Sequence, residues 1–298
     1  MDWRQFAMDL EMLNPAHVEE IFSRHGASSI TLTDAGDKPV LEPAPGETPL
    51  WRETRISGLF SPDANLDELR SDLLRSLGLD DLPSNDVSVL ADRVWEREWL
   101  NDFGPMKFGS RLWICPGDSS VDDHNAVVVR LDPGLAFGTG THATTALCLD
   151  WLDGLNLQGS TVLDVGCGSG VLAIAALSLG CENAVAMDID PQAIRATVEN
   201  ALNNDVREHL LVTNHSNGIA GEFDVVIANI LATSLIDMAA LIAGHVNGGC
   251  LLALSGILFE QVDEVLEAYR PWIEFDETVS REQGGQTWAR LTGQRIKG

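Results

Sequence analysis

The chain opens without the basic segment and apolar run of a secretory leader, since Met1-Asp2-Trp3-Arg4-Gln5 has neither. No stretch reaches the roughly 18 consecutive apolar residues that a membrane-spanning helix requires, so no membrane partner is expected. Cysteine pairs are also missing. The five cysteines (Cys115, Cys148, Cys167, Cys181 and Cys250) are odd in number and contain no C-x-x-C. That argues against a disulfide framework or a zinc site and predicts a reducing, cytoplasmic setting. His17, His25, His124, His209, His215 and His245 show no metal-ligand spacing. There is no G-x-S-x-G nucleophile elbow and no P-loop.

Positive charge is scarce. Nineteen Lys and Arg face 45 Asp and Glu, for a net charge of −26. Proteins that grip nucleic acid neutralise phosphates with a basic surface, so direct nucleic-acid binding is not expected. The balance favours a basic macromolecular partner or a small molecule, and the field steers cations inward. Solubility alone also makes many proteins acidic, so charge by itself leaves the partner open.

At 298 residues and 45% hydrophobic, the chain is long enough for two globular domains. Strand-like segments at residues 3–10, 29–33, 55–60 and 86–92 alternate with helix-like ones at 15–25 and 65–77. Asn14 and Pro15 open the first helix as N-cap and N1. The order βαββαβ predicts an α+β ferredoxin-like domain over 1–94. Residues 34–51 are rich in Gly, Pro and acids and read as a long loop. A linker region is expected over 95–125, with strand-like pieces at 111–115 and 126–131 and the boundary near 125.

From about Thr145 the pattern becomes regular strand–helix alternation. Strands are expected at 161–165, 184–187, 223–228, 250–254 and near 287–291. Helices are expected at 143–152, 171–179, 191–203 and around Val262, Val265, Leu266 and Tyr269. In the helix over 191–203, Ile194, Val198, Ala201 and Leu202 read as one buried face. Such repeats predict an α/β domain over 126–298 with a mostly parallel sheet covered by helices on both faces.

Asp164-Val165-Gly166-Cys167-Gly168-Ser169-Gly170 sits where a strand becomes a helix. Glycines there let the backbone pass close under a ligand, and ligands of open α/β sheets bind at the carboxyl ends of strands. A structural turn would look similar, and a G-x-G pair alone is weak. Asp164 at the strand end suits a cationic amino-acid group. Asp188 ends the next strand, where an ionised carboxylate can accept from two ribose hydroxyls. Asp190 precedes Pro191 and reads as a helix N-cap. A dinucleotide fingerprint would put its third glycine at position 171, which is Val171. G-x-G-x-G after an acid favours a sulfonium nucleoside, S-adenosylmethionine, instead.

Asn229-Ile230-Leu231 ends a later strand, where an acceptor would meet a methyl donor; a strand-ending Asn in a turn is the plainer reading. The second glycine-rich stretch is Leu131-Asp132-Pro133-Gly134-Leu135-Ala136-Phe137-Gly138-Thr139-Gly140-Thr141-His142. Its glycines and threonines, Gly138 and Thr141 among them, would cap the next helix and cover a ligand. Thr145 lies on that helix's first turn, within reach. His142 is either a base or, more commonly for a lone histidine, structural.

Residues 131–145, the loop 164–170 and Asn229-Ile230-Leu231 together resemble the PrmA family of bacterial ribosomal protein methyltransferases. Residues 43–51, 95–99 and 104–109 extend the similarity over the whole chain. The resemblance implies a seven-stranded Rossmann-like class I methyltransferase domain and a smaller N-terminal domain that recognises substrate. It implies transfer of methyl groups to lysine and N-terminal amines of protein eleven of the large ribosomal subunit, free or before assembly. Thr145, Gly166, Asp188 and Asn229 match the family's donor-binding positions, with Phe137 and Thr141 covering the donor. Asn229-Ile230-Leu231 stands where many amine methyltransferases carry an Asn/Asp-Pro-Pro-Tyr-like motif, whose prolines and aromatic are absent here. The rival readings are an RNA or small-molecule methyltransferase, a non-catalytic nucleoside-binding module and a nicotinamide oxidoreductase.

Overall fold

A computed structural model describes residues 3–35, 53–90, 104–117, 119–131, 140–215 and 218–297. The chain divides into two compact units, Met1–Trp95 and Glu96–Gly298.

The first unit runs β1 (Trp3–Asp9), α1 (Pro15–Arg24), β2 (Ser29–Asp34), β3 (Thr54–Phe60), α2 (Leu66–Leu77), β4 (Asn85–Leu90). Its four strands pair antiparallel in the order β2-β3-β1-β4. This is the expected ferredoxin-like arrangement. Local chemistry explains the helices. Asn14 caps α1 by accepting from the Ala16 N–H at 3.0 Å. Asn65 caps α2, and Gly78 ends it in the left-handed region at φ 67°. Alternation along β1 and β3 sends Phe6, Met8, Ile56 and Phe60 into one core with Val18, Ile21, Phe22 and Leu69 from the helices. The loop expected over 34–51 lies, from residue 36 onward, outside the described residues.

The second unit begins with a small sheet of β5 (Met106–Phe108), β6 (Leu112–Pro116) and β7 (Val127–Leu131). Within the stretch read as a linker over 95–125, the described residues from 104 include β5 and β6, and the two units divide at 95/96, next to the domain end read at 94. Phe108, Leu112, Ile114 and Val129 join the unit's main core. The buried carboxylate of Asp153 also pins the β5–β6 turn, accepting from the backbone N–H of Ser110 at 2.6 Å and of Leu112 at 3.1 Å.

There follow α3 (Ala143–Asp153), β8 (Thr161–Val165), α4 (Val171–Ser178), β9 (Asn183–Met187), α5 (Pro191–Asn203) and β10 (Leu210–Thr213). Next come β11 (Phe223–Asn229), α6 (Ala232–Asp237), α7 (Ala239–Gly244), β12 (Val246–Leu258) and α8 (Val262–Tyr269). The chain closes with β13 (Ile273–Phe275), β14 (Val279–Gln283) and β15 (Gln286–Arg295). The sheet order is β10-β9-β8-β11-β12-β15-β13, with β14 added along β15. The first five strands are parallel, whereas β15 runs antiparallel to β12, β13 and β14. Val162, Val225 and Ile227 face one apolar core, and Leu163, Val226 and Ala228 face the other. Burial on both faces is why these strands read as continuous apolar runs. The strand order reverses between β8 and β11, the switch point where open sheets bind ligands.

Helix α5 corrects the sequence reading. Its buried residues are Ala193, Thr197, Asn200 and Ala201, while Leu202 is 58% exposed and Ile194 and Val198 are half-buried. Two polar side chains displace the aliphatic face because the glycine loop supplies them with hydrogen-bond partners.

Candidate active site

The loop after β8 is held open by a small set of contacts. The N–H groups of Gly166 and Cys167 both donate to the Met187 carbonyl, at 2.7 and 3.0 Å. From α5, Thr197 Oγ1 donates to the Gly168 carbonyl at 3.0 Å, and Asn200 Nδ2 to the Ser169 carbonyl at 2.9 Å. Gly166 has φ 75°, and a Cβ there would lie 2.1 Å from the Ile230 side chain. Gly170, at φ 78°, starts α4 against Thr197. Only glycine combines these dihedrals with such close packing.

Asp188 follows β9. Its Oδ2 accepts from the Gly168 N–H and its Oδ1 from the Asp190 N–H, both at 2.9 Å. Each carboxylate oxygen keeps lone-pair capacity for a further donor. Asp190 caps α5 by accepting from the Gln192 N–H at 2.8 Å, the structural role read for it.

Asp164 is wholly buried beneath the loop. Its Oδ2 accepts from the Ala173 N–H at 3.2 Å, and its Oδ1 has no partner among the described residues. Burial pushes its carboxyl up to about 7; the Ala173 hydrogen bond opposes the shift and the Asp188 charge adds to it.

The loop, the end of β9 and the end of β11 enclose a cavity of ≈ 600 Å³, of a size that suits a nucleoside-sized ligand. Of the residues singled out from sequence, Gly166, Gly168, Asp188, Asn229, Ile230, Leu231 and His142 line it. Asp164, Gly170 and Thr145 stand behind the wall. Thr141 lies beside it, its carbonyl accepting from Gln283 Nε2 at 3.1 Å. Phe137 and Gly138 lie outside the described residues.

Thr145 is 1% exposed and acts on Asn229, whose Nδ2 donates to Thr145 Oγ1 at 3.2 Å. The amide oxygen of Asn229 is buried and accepts no hydrogen bond among the described residues. His142 caps α3, its Nδ1 accepting from the Thr144 N–H at 3.4 Å. Burial lowers its pKa below the ordinary histidine value, and its Nδ1 also lies 2.8 Å from Thr144 Oγ1. The capping contact is the structural role that the sequence allowed for it.

Among the lining residues that escaped the sequence reading, Trp288 and Gly256 matter most for the wall. Trp288, on β15, meets the His142 ring edge-on at 4.6 Å between centroids. It supplies an aromatic wall from a strand far from Asn229-Ile230-Leu231, and nothing local in the sequence marks it. Gly256 was findable, because an isolated glycine inside the apolar run 251–258 signals a bulge or a close approach. Register slips there, between Ser255 and Ile257. At φ 87°, a Cβ on Gly256 would lie 2.3 Å from the Ile230 carbonyl oxygen.

A five-stranded parallel run, an antiparallel β15 inserted before β13, a glycine loop after the first strand and an acid after the second define a class I methyltransferase. The family model for ribosomal protein L11 methyltransferase (PrmA) matches residues 2–296. The chain belongs to that family. It is 48% identical over 296 residues to the ribosomal protein L11 methyltransferase of Klebsiella pneumoniae (strain 342), covering 99% of this chain and 100% of that one. It is 48% identical over 298 residues to that of Hahella chejuensis (strain KCTC 2396), covering 99% of each. The crystal structure of ribosomal protein L11 methylase from Lactobacillus delbrueckii subsp. bulgaricus superposes with a TM-score of 0.59 at 32% identity, over 65% of this chain and 100% of that one.

Proposed function

We propose that this protein transfers methyl groups from S-adenosylmethionine to lysine side-chain amines and the N-terminal amine of ribosomal protein L11. It acts on that protein free or before assembly, in the cytoplasm, without binding nucleic acid directly. The observation that carries this reading is Asn229, whose Nδ2 is tied to Thr145 while its buried Oδ1 has no donor among the described residues. An unpartnered buried acceptor costs on the order of 1–3 kcal/mol. An amine N–H that reached this oxygen, once the side chain turned it towards the cavity, would remove that cost and leave the nitrogen lone pair free to attack.

The residues fit the donor. Asp188 offers carboxylate oxygens for ribose hydroxyls, Gly166 and Gly168 leave bare backbone under the ligand, and Ile189, 85% exposed at the rim, offers an apolar flank. S-adenosylmethionine supplies an electrophilic methyl group on a positively charged sulfur.

The chain's own residues prepare the acceptor. A lysine attacks only as the free amine, and with a reference pKa of about 10.4 its deprotonation at pH 7 costs roughly 4–5 kcal/mol. The apolar lining of Val165, Ile230, Leu231, Met238 and Trp288 desolvates an entering ammonium and lowers that cost. Gly256 keeps the Ile230 carbonyl unblocked as a second acceptor for the amine. Alignment is the main catalytic contribution, and the released proton passes to solvent. The first unit serves as the substrate-recognition domain.

The test is mass spectrometry of purified ribosomal protein L11 after incubation with the protein and methyl-labelled S-adenosylmethionine. Labelled lysine and N-terminal amines are expected, and unmodified L11 would overturn the reading.

A further inference from the structure

Next to the methyl-transfer cavity lies a smaller one of ≈ 380 Å³, lined by Leu258, Phe259, Glu260, Gly285, Gln286 and Thr287. The same two strands build both. Gly256 and Trp288 line the first cavity. Leu258 is the register partner of Trp288, and the lining of the second cavity continues forward from Leu258 and backward from Trp288. These are antiparallel strands, so both steps lead the same way. The two linings are one residue apart on β15 (Trp288 and Thr287) and two on β12 (Gly256 and Leu258), roughly 3–7 Å at about 3.3 Å per residue. Side chains a few positions apart on one extended polypeptide span that distance.

The lining chemistry is specific. Phe259 is 53% exposed, and Glu260 is exposed with no ion pair among the described residues. Both sit on a 3-10 turn, Phe259–Gln261, which the Gln261 side chain braces by accepting from the Leu258 N–H at 2.9 Å. An aromatic face beside an unpaired carboxylate receives a cation with an aliphatic stem. The chain's net charge of −26 draws such a group in.

We propose that this second cavity binds a lysine or arginine side chain of the polypeptide substrate, two to four positions from the amine that is methylated. The proposal rests on the reading of L11 as substrate. Phe259 carries the stem of the side chain and Glu260 its charge, so the pair sets which amines of a basic polypeptide are presented to Asn229.

The experiment uses the full-length protein, purified L11 and labelled donor. Steady-state transfer is measured for wild type, Glu260→Gln and Phe259→Ala, with donor affinity from calorimetry and the methylated sites mapped by mass spectrometry. Glu260→Gln is expected to raise KM for L11 about three- to tenfold while kcat and donor affinity stay unchanged, an effect that fades at high salt. An L11 variant with glutamine for the basic residues within four positions of a methylated amine should lose the same factor, and Glu260→Gln should then add nothing. An unchanged KM, additive penalties, altered donor affinity, or methylated sites with no basic residue within four positions would each overturn the subsite. Failure of the wild type to methylate L11 would instead remove the substrate reading, and the proposed occupant with it.

Discussion

Asn229 Nδ2 donates to Thr145 Oγ1 at 3.2 Å, across 84 residues of sequence, and leaves the buried amide oxygen without a donor among the described residues. With the nitrogen committed to the hydroxyl, the oxygen is the atom left for an incoming amine. Asn229→Ala is therefore expected to keep donor affinity and lower kcat on the order of a hundredfold. Thr145→Val should reproduce part of that loss. Single-turnover transfer to L11 checks both, and full activity of Asn229→Ala would remove its role.

Asp188 divides its two oxygens between Gly168 and Asp190 while facing the cavity. Asp188→Asn loses the charge and one acceptor. Donor affinity should fall roughly ten- to a hundredfold, read by calorimetry. Unchanged affinity would end the ribose assignment.

Gly256→Ala places a methyl group against the Ile230 backbone at a left-handed dihedral. Unfolding in denaturant should show a loss on the order of 2 kcal/mol, and turnover should drop more than donor binding does. A variant as stable and active as wild type would show that the bulge accommodates a side chain.

Burial raises the Asp164 carboxyl from 3.8 to about 7 in the folded protein. Between those values the unfolded chain has lost the proton and the folded one retains it. The carboxyl's contribution to stability is thus full below 3.8, declines as pH rises towards 7 and is level above that. Asp164→Asn removes the slope, so the variant should gain stability relative to wild type on going from pH 4 to pH 7. Parallel denaturation midpoints over that range would contradict the buried, protonated state.

Removal of residues 1–95 takes away a unit with its own apolar core. The remaining chain should bind donor and fail to methylate L11. Retained methylation, measured by mass spectrometry, would contradict a recognition domain.

Local rules carried much of the fold. Asn14-Pro15, Asn65, Gly78 and Asp190-Pro191 mark helix ends because caps and turns are solved by adjacent residues. The helices and strands around β8, β9 and β11 follow from apolar runs and their periods. The short strands β5, β10, β13 and β14 and helices α6 and α7 were not anticipated, because three to six residues carry too little periodicity. In α5 the aliphatic pattern misled, because Thr197 and Asn200 are buried to serve carbonyls 29 and 31 residues away. A hydrophobicity pattern has no knowledge of such partners.

The sequence alone determined the βαββαβ order of the first unit, the glycine loop, the placement of Asp188 and Asn229 at strand ends, and the likeness to the PrmA family. These depend on residues close together along the chain. Tertiary structure alone decided that Thr145 holds Asn229 rather than lining the cavity, that His142 caps a helix, and that Gly256 and Trp288 complete the cavity wall. The physical reason is that hydrogen-bond direction, burial and close approach depend on which strands are neighbours, and β15 reaches the site only by inserting antiparallel beside β12.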